Sequence, residues 1–400
     1  MSKRRPIIAP GIDDFRRGGA EPADEWSTAQ VDEHMIPTHC PFCGVQCGMY
    51  LRVAEGKVFG VEPRDHDINK LKLCPKGVTA YQQVNHPDRL TYPLIRDRRH
   101  EPLRRATWEE ALDRVVSEIK RIQESYGRDS FAIYSGSSLT TEKTYLMGKF
   151  ARVALGTKHV DYNGRLCMVS AAAANRKAFG VDRSANPWAD MLLTDVILVA
   201  GANVAECFPV ATQYFWEARD RGAKLVVVDP RETAMARTAD IHVPLRPGSD
   251  AAFFNGVLHL IEHEGLLDED FIASRTTGWE SLRDTVRRYD PARVADICGL
   301  DRQTIVDVAL MWGRASRAMA WHARGLEHHI QGVENVLTVI NLVLATGQIG
   351  APGKGYGTLT GQGNGQGGRE HGQKSDQLPG QRMIEDPDAR AHIWPSLSSD

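Results

Sequence analysis

Seven cysteines occur in 400 residues, and four of them are spaced for inorganic chemistry. Cys40, Cys43 and Cys47 form a C-x2-C-x3-C run, and Cys74 follows 27 positions after the third. Three thiolates in one tight loop, with a fourth returning from elsewhere in the chain, suit the corner irons of a [4Fe–4S] cluster. The competing reading is a four-cysteine zinc site, which is more often built from two separated C-x2-C knuckles. The three-plus-one layout favours the cluster. Spacing alone makes this an electron-transfer site and leaves Lys76, two residues past Cys74, as an ordinary surface charge.

Other stretches carry weaker signals. Gly347 to Gly372 holds eleven glycines, with Gln362, Asn364, Gln366, Arg369 and Glu370 interleaved among them. A flexible linker is the plain reading, but linkers favour serine. Amide and ionic side chains beside glycines suit a segment whose backbone comes close to a polar ligand. His259-Leu260-Ile261-Glu262-His263 fits the H-x-x-E-H pattern of one zinc protease class. No third ligand is suggested downstream, so ordinary solvated helix residues are the expectation. Cys167, taken alone, reads as a small buried apolar residue, and Cys207 and Cys298 read as core.

Composition bounds what these residues can serve. Hydrophobic residues make up 42% and charged residues 25%, which is ordinary for a globular chain long enough for two or three domains. A net charge near −2 gives no broad attraction for nucleic acid or an anionic membrane. The most apolar run, Met191 to Ala200, is too short for a bilayer and contains Asp195. Arg4-Arg5 could open an export signal, but no apolar stretch follows. Residues 1–33 are therefore expected to be a disordered lead and the protein cytoplasmic, where metal binding explains cysteines better than disulfides.

The elements that must position these residues follow from patterning. Met49–Val53 and Lys57–Val61 alternate about Glu55-Gly56 as a hairpin over the cysteine loop. The arginines from Arg89 to Arg105 read as a solvated connector. Thr107 and Glu110 form a capping box for a helix whose apolar face is Leu112, Val115, Val116, Ile119 and Ile122, ended by Gly127. A strand at Phe131–Tyr134, a helix at Glu142–Leu155 and a strand at His159–Tyr162 lead to Asn163–Met168. Asp195–Gly201 and Lys224–Asp229 are buried strands joined by a helix over Pro209–Arg221, a right-handed βαβ unit. Ligands in open α/β sheets sit at the carboxyl ends of such strands. The first turn lacks G-x-G-x-x-G, which counts against an ordinary NAD site. Gly248-Ser249-Asp250 opens another helix where an anion could dock. A strand at Ala318–His322 and a helix at Val333–Thr346 follow.

From about residue 34 to about 390 these motifs, in this order, resemble the molybdenum/tungsten bis-pterin-guanine-dinucleotide oxidoreductases of the dimethyl-sulfoxide-reductase superfamily. The resemblance implies an α/β multidomain fold: a lead (1–33), a [4Fe–4S] domain (34–95), a discontinuous α/β domain (96–162 plus 321–390) and a Rossmann-like dinucleotide domain (163–320). Residues 391–400 no longer resemble the family. The β-barrel-like C-terminal domain of its members is expected to be missing, as in a truncated chain that would hold cofactor poorly. The implied cofactors are the cluster, on Cys40, Cys43, Cys47 and Cys74, and molybdenum bis(molybdopterin guanine dinucleotide), with Cys167 on the metal. Lys76 would lie between cluster and pterin. Asn163, Asn203, Glu206, Asp229, Arg231, Gly248, Asp250, Gly325, Gln362 and Asn364 would contact the cofactor.

Cys167-Met168 looks like the nitrate reductases, since formate dehydrogenases carry histidine after the ligand. Asp182 and Arg369 also match positions typical of assimilatory nitrate reductases, and a guanidinium fork suits an oxyanion. Nitrate reduction to nitrite by oxygen-atom transfer is thus the implied activity, with catalytic roles for Cys167, Met168, Arg369, Asp182 and Lys76. The donor would be a ferredoxin, a flavodoxin or an NADH-linked flavoprotein. Many nitrate reductases carry methionine where Arg324 stands, a departure that bears on the substrate. A formate dehydrogenase, and a non-catalytic iron–sulfur electron-transfer subunit, are the alternatives.

Overall fold

The computed structural model describes residues 33–398. The expected lead lies outside the described residues except for Glu33, whose carboxylate pairs with Arg52 at 3.0 Å. Strands His34–His39, Gly48–Ala54 and Lys57–Pro63 form an antiparallel sheet. The hairpin is as patterned, and a third strand precedes it. His39 pairs with Gly48, so the sheet closes the neck of the loop that carries three cysteines.

The centre of the molecule is a five-stranded parallel sheet. Its order is Ile241–Val243, Lys224–Val228, Val196–Ala200, Ala318–His322 and Gly355–Thr358. Apart from exposed Lys224, the three middle strands are buried throughout and almost wholly apolar, as expected of a parallel sheet covered on both faces. Helices Asp250–His263 and Gly332–Ala345 pack in the larger core on one face, with Phe253, Trp312 and Ile340 fully buried. Trp188, Tyr214, Phe215 and Trp321 fill the other face.

Elements of this topology run across three of the expected boundaries. The division at 320/321 cuts a central strand, because Ala318–His322 pairs with Val196–Ala200 and Gly355–Thr358 adds beyond it. The division at 95/96 separates paired strands Leu94–Ile95 and Arg104–Arg105. Helix Pro387–Ser398 runs across 390/391, with Ile393 packed on Leu378.

A smaller parallel pair, Ile133–Ser135 with Val160–Tyr162, delivers the chain to Asn163. Between them, helix Thr141–Lys149 passes into a π-helical turn, Phe150–Leu155. In helix Trp108–Tyr126 only half of the expected capping box forms. Thr107 accepts from the Glu110 amide at 3.1 Å, but Arg104 takes the Glu110 carboxylate at 2.6 Å. That helix has no buried residue, and Leu112, Val115 and Val116 remain exposed.

Candidate active site and cluster pocket

The cysteine loop is shaped by its own backbone and by one buried amide. Cys40 N–H donates to the Cys47 carbonyl at 2.9 Å, and Gln46 takes a left-handed conformation (φ 51°) to turn the chain. Asn69, fully buried, accepts from Gly48 N–H at 2.8 Å and donates to the carbonyls of Gly48 (3.1 Å) and Lys72 (3.0 Å). It fixes the segment leading to Cys74 against the loop bearing the other three cysteines. Nothing in the sequence marked Asn69, a lone amide in a polar stretch.

Cys74 opens the short helix Pro75–Val78, and the four thiols line one cavity with Lys76, Gly77 and Phe208. Among the described residues, no three His, Cys, Asp or Glu side chains are grouped as around a single ion. The thiols ring a space rather than close on a point. Burial pushes the Cys47 thiol up to about 12, with the neighbouring thiols adding to the effect. The Cys40 thiol is also raised, first by burial. Thiols in so dry a wall ionise when a cationic centre takes the proton's place, which is the donor chemistry a cluster requires. Lys76 is exposed beside them.

The pocket is wired to the glycine-rich segment. Gly44 N–H donates to Gly361 O at 2.9 Å, and the Gln46 side chain donates to Gly363 O. A Cβ on Gly44 would collide with the Thr360 carbonyl oxygen. Gln362 then accepts from Asn163, whose own oxygen accepts from Ser137 N–H (2.9 Å) and Oγ (2.7 Å). Asn364 is held by Leu139 O at 2.8 Å. The segment expected to line a polar ligand folds at Gly365–Glu370 into a short helix. A Cβ on Gly368 would lie 2.6 Å from the Tyr162 ring, so packing against protein requires this glycine.

Asn163 O also accepts the Cys167 amide at 3.0 Å, in the short helix Gly164–Cys167. Met168 breaks that helix and is buried with Tyr162 and Ala172 against Cys167. Arg369 reaches Met168 Sδ with Nη1 at 3.0 Å, pairs with Asp182 through the same nitrogen, and gives Nη2 to Gln366. Asp182 is itself held by Asn175 Nδ2 at 3.2 Å. The structure thus gathers Cys167, Met168, Asp182 and Arg369, four of the five residues expected to be catalytic.

Three further residues meet there. Arg324 directs Nη1 to Cys167 Sγ at 3.5 Å and gives Nη2 to Glu327 Oε1 at 2.5 Å. Glu327 is buried, and His322 Nδ1 stands 3.2 Å from the same oxygen. Burial alone would raise the Glu327 carboxyl, but His322 and Arg324 overcome it and the net shift is downward. His322 Nε2 contacts the Tyr356 hydroxyl at 2.6 Å. Glu327 and His322 had no sequence signal, and Arg324 stood out only as a departure from a pattern.

The expected dinucleotide residues cluster at the carboxyl ends of the parallel strands, with Asn203, Asp229 and Gly325 each just beyond one. Asn203 Oδ1 is buried without a protein partner, and Gly248 (φ 88°) faces open space. Both fit a polar ligand. Asp229 Oδ1 is engaged by Arg231 N–H at 2.9 Å, while burial raises the Asp250 carboxyl. Glu206 and the Arg231 side chain are exposed. Gly325 lets two turns touch, since its Cβ would sit 2.6 Å from Gly201 Cα. Cys298 is core as expected, but Cys207, the last residue of the short helix Val204–Cys207, is exposed. In the H-x-x-E-H stretch, Glu262 is committed to Arg283 (2.7 Å) and Arg287 (3.0 Å).

Four thiols around one cavity and a fifth beside the Arg324 guanidinium are the donor sets an iron–sulfur cluster and a second, metal-bearing cofactor would use. The chain belongs to the molybdopterin oxidoreductase family, whose model matches residues 89–397, and residues 33–86 match the Fe4S4 domain of that family. Its cofactors are accordingly a [4Fe–4S] cluster and molybdopterin-bound molybdenum. The family match runs through residue 397, past the expected break at 391. The assimilatory nitrate reductase catalytic subunit of Bacillus subtilis is 43% identical over 90% of this chain and 51% of its own. The F420-dependent formate dehydrogenase subunit alpha of Methanocaldococcus jannaschii is 36% identical over 88% of this chain and 51% of its own. Acetylene hydratase from Pelobacter acetylenicus superposes with a TM-score of 0.71 at 27% identity, over 80% of this chain and 44% of its own. The chain spans about half the length of these relatives. Among the described residues, no helix is long and apolar enough to cross a membrane.

Proposed function

We propose that this chain serves the reduction of nitrate to nitrite, in which nitrate takes two electrons and two protons and releases water. The observation that carries the reading is the setting of Cys167: an apolar Met168 beside it and two guanidinium groups, Arg324 and Arg369, around the pair. Planar cations at a dry wall suit a small planar oxyanion better than a neutral substrate. The likeness to an enzyme named as an assimilatory nitrate reductase supports the same choice.

In this reading Cys40, Cys43, Cys47 and Cys74 hold the cluster, and Cys167 holds molybdenum carried by two molybdopterin guanine dinucleotides. The bound cofactor supplies the two-electron oxygen-atom chemistry. The chain's own residues do the rest. Asn163, Asn203, Glu206, Asp229, Arg231, Gly248, Asp250, Gly325, Gln362 and Asn364 line the cofactor's bed. Lys76, exposed beside the four thiols, would lie between cluster and pterin and favour electron passage there. Met168 excludes water from one side of the site, and Asp182 keeps Arg369 fixed behind it. Electrons come from a ferredoxin, a flavodoxin or an NADH-linked flavoprotein, in the cytoplasm.

Formate oxidation is the second reading, favoured by the likeness to a formate dehydrogenase subunit. An electron-transfer subunit without molybdenum is the third. Purified protein offered reduced viologen with nitrate, or oxidised viologen with formate, separates the first two. Nitrite formation with molybdenum and iron both present is expected. Formate-dependent viologen reduction without nitrite overturns the proposal, and iron without molybdenum supports the third reading.

A further inference from the structure

Two arginines approach the Cys167–Met168 pair, and their surroundings differ in a way that assigns them different work. Arg369 is 5% exposed, and both of its terminal nitrogens are consumed by Asp182, Met168 and Gln366. Its nearest link to Cys167 passes through the Met168 side chain. For nitrate to use either terminal nitrogen, the anion would have to displace Met168, Gln366 or Asp182, a carboxylate already buried beside it at 5% exposure.

Arg324 is placed otherwise. Its side chain is 22% exposed, and one nitrogen, Nη2, is tied to Glu327 and, at 3.3 Å, to Leu359 O. The other terminal nitrogen, Nη1, meets the Cys167 sulfur itself at 3.5 Å. Nε lacks a protein partner in both arginines, so the terminal nitrogens are what separate them. Beneath it, Glu327 is backed by His322, which the Tyr356 hydroxyl contacts at 2.6 Å and the Thr358 hydroxyl at 3.1 Å. Glu327, Tyr356 and His322 are all essentially without solvent exposure. A guanidinium anchored at one end on a buried base, with the other end at the thiol, is preorganised to receive an anion there.

We infer that Arg324, and not Arg369, is the residue that anchors the oxyanion substrate next to Cys167, with Glu327 as the positioning residue that holds its guanidinium. This rests on the nitrate reading above and sharpens it. The departure at position 324 then becomes the specificity determinant of this chain. Arg369 belongs to the wall that supports Met168.

The test uses the cofactor-loaded protein and two readouts. One is KM against kcat for nitrate with reduced viologen. The other is the nitrate concentration that half-shifts the Mo(V) electron paramagnetic resonance signal, which needs no turnover. Arg324→Gln is expected to raise KM and the half-shift concentration together by about 10- to 100-fold, the loss typical of a charged hydrogen bond. Arg324→Lys keeps the charge but not the fork, and should fall between Arg324→Gln and the parent protein in both readouts. Arg369→Gln should lower stability and kcat while leaving KM in place. Should Arg324→Gln lose molybdenum, the same two readouts on Arg324→Lys decide. Parent protein that reduces nitrate, with both readouts unmoved in the Arg324 variants or moved only in Arg369→Gln, overturns this inference and spares the nitrate reading. Parent protein that oxidises formate and shows no nitrate response overturns both.

Discussion

The buried pair of Arg369 and Asp182 shows how a residue can match a pattern and yet do a different job in its surroundings. Both side chains are almost without solvent, and each answers the other's charge. Removing one partner strands the other in a dry wall, which typically costs about 3–5 kcal/mol. Asp182→Ala should therefore lose stability of that order in urea denaturation of the cofactor-free chain. A loss below about 1 kcal/mol would mean that water reaches Arg369 and that the wall is open. The four bracket cysteines stood out through local spacing, whereas Cys167-Met168 stood out only through the resemblance of motifs. Arg324, Glu327 and His322 were not legible as a site, because their meaning depends on a contact between residues 157 positions apart. Asn69 escaped notice for the same reason: a clamp is defined by what it holds.

Among the elements, the two middle strands of the large sheet were readable because both faces are buried and the runs are continuously apolar. Strand Gly355–Thr358 was not, since its two glycines resemble a linker. A Cβ on Gly357 would overlap the Trp321 ring, so the neighbouring strand explains that residue and the sequence around it does not. The H-x-x-E-H helix is a second case, in which a metal-like pattern turns out to be helix–helix glue. Glu262 binds Arg283 and Arg287 from the segment Trp279–Arg287. Burial pushes its carboxyl up, but the two arginines bring the net shift below the ordinary value. A carboxyl lowered in the folded state stabilises above its unfolded pKa and loses that contribution as pH falls through the lowered value. Glu262→Gln should accordingly be less stable than the parent protein at pH 7. The difference should close only at pH values under the ordinary carboxylate range. Denaturant midpoints that differ equally at both pH values would contradict the pairing.

Over the whole molecule, the resemblance of motifs led to the right family. The domain divisions drawn from it did not follow the sheet, because a parallel strand order draws residues 196–358 into one layer. The N-terminal cluster region joins the rest of the molecule through Gly44 and Gln46, which bond to Gly361 and Gly363, and through residues 67–72, which bond to Gln213, Tyr214 and Glu217. Gly44→Ala places a methyl group against the Thr360 carbonyl oxygen, where backbone cannot yield cheaply. Iron should then be released at lower urea concentration than in the parent protein, followed by the visible absorbance of the cluster. Unchanged release would show that the two layers are held by other contacts.

That same junction also sets a schedule for biosynthesis. Gln46 and Gly363 are separated by 317 positions. At ordinary elongation rates the ribosome needs on the order of 15–60 seconds to make the second after the first. For most of that interval the cysteine loop is outside the ribosome but lacks the backbone that packs against it. Cluster loading during translation would find an open door, whereas loading after release would have to reopen a closed one.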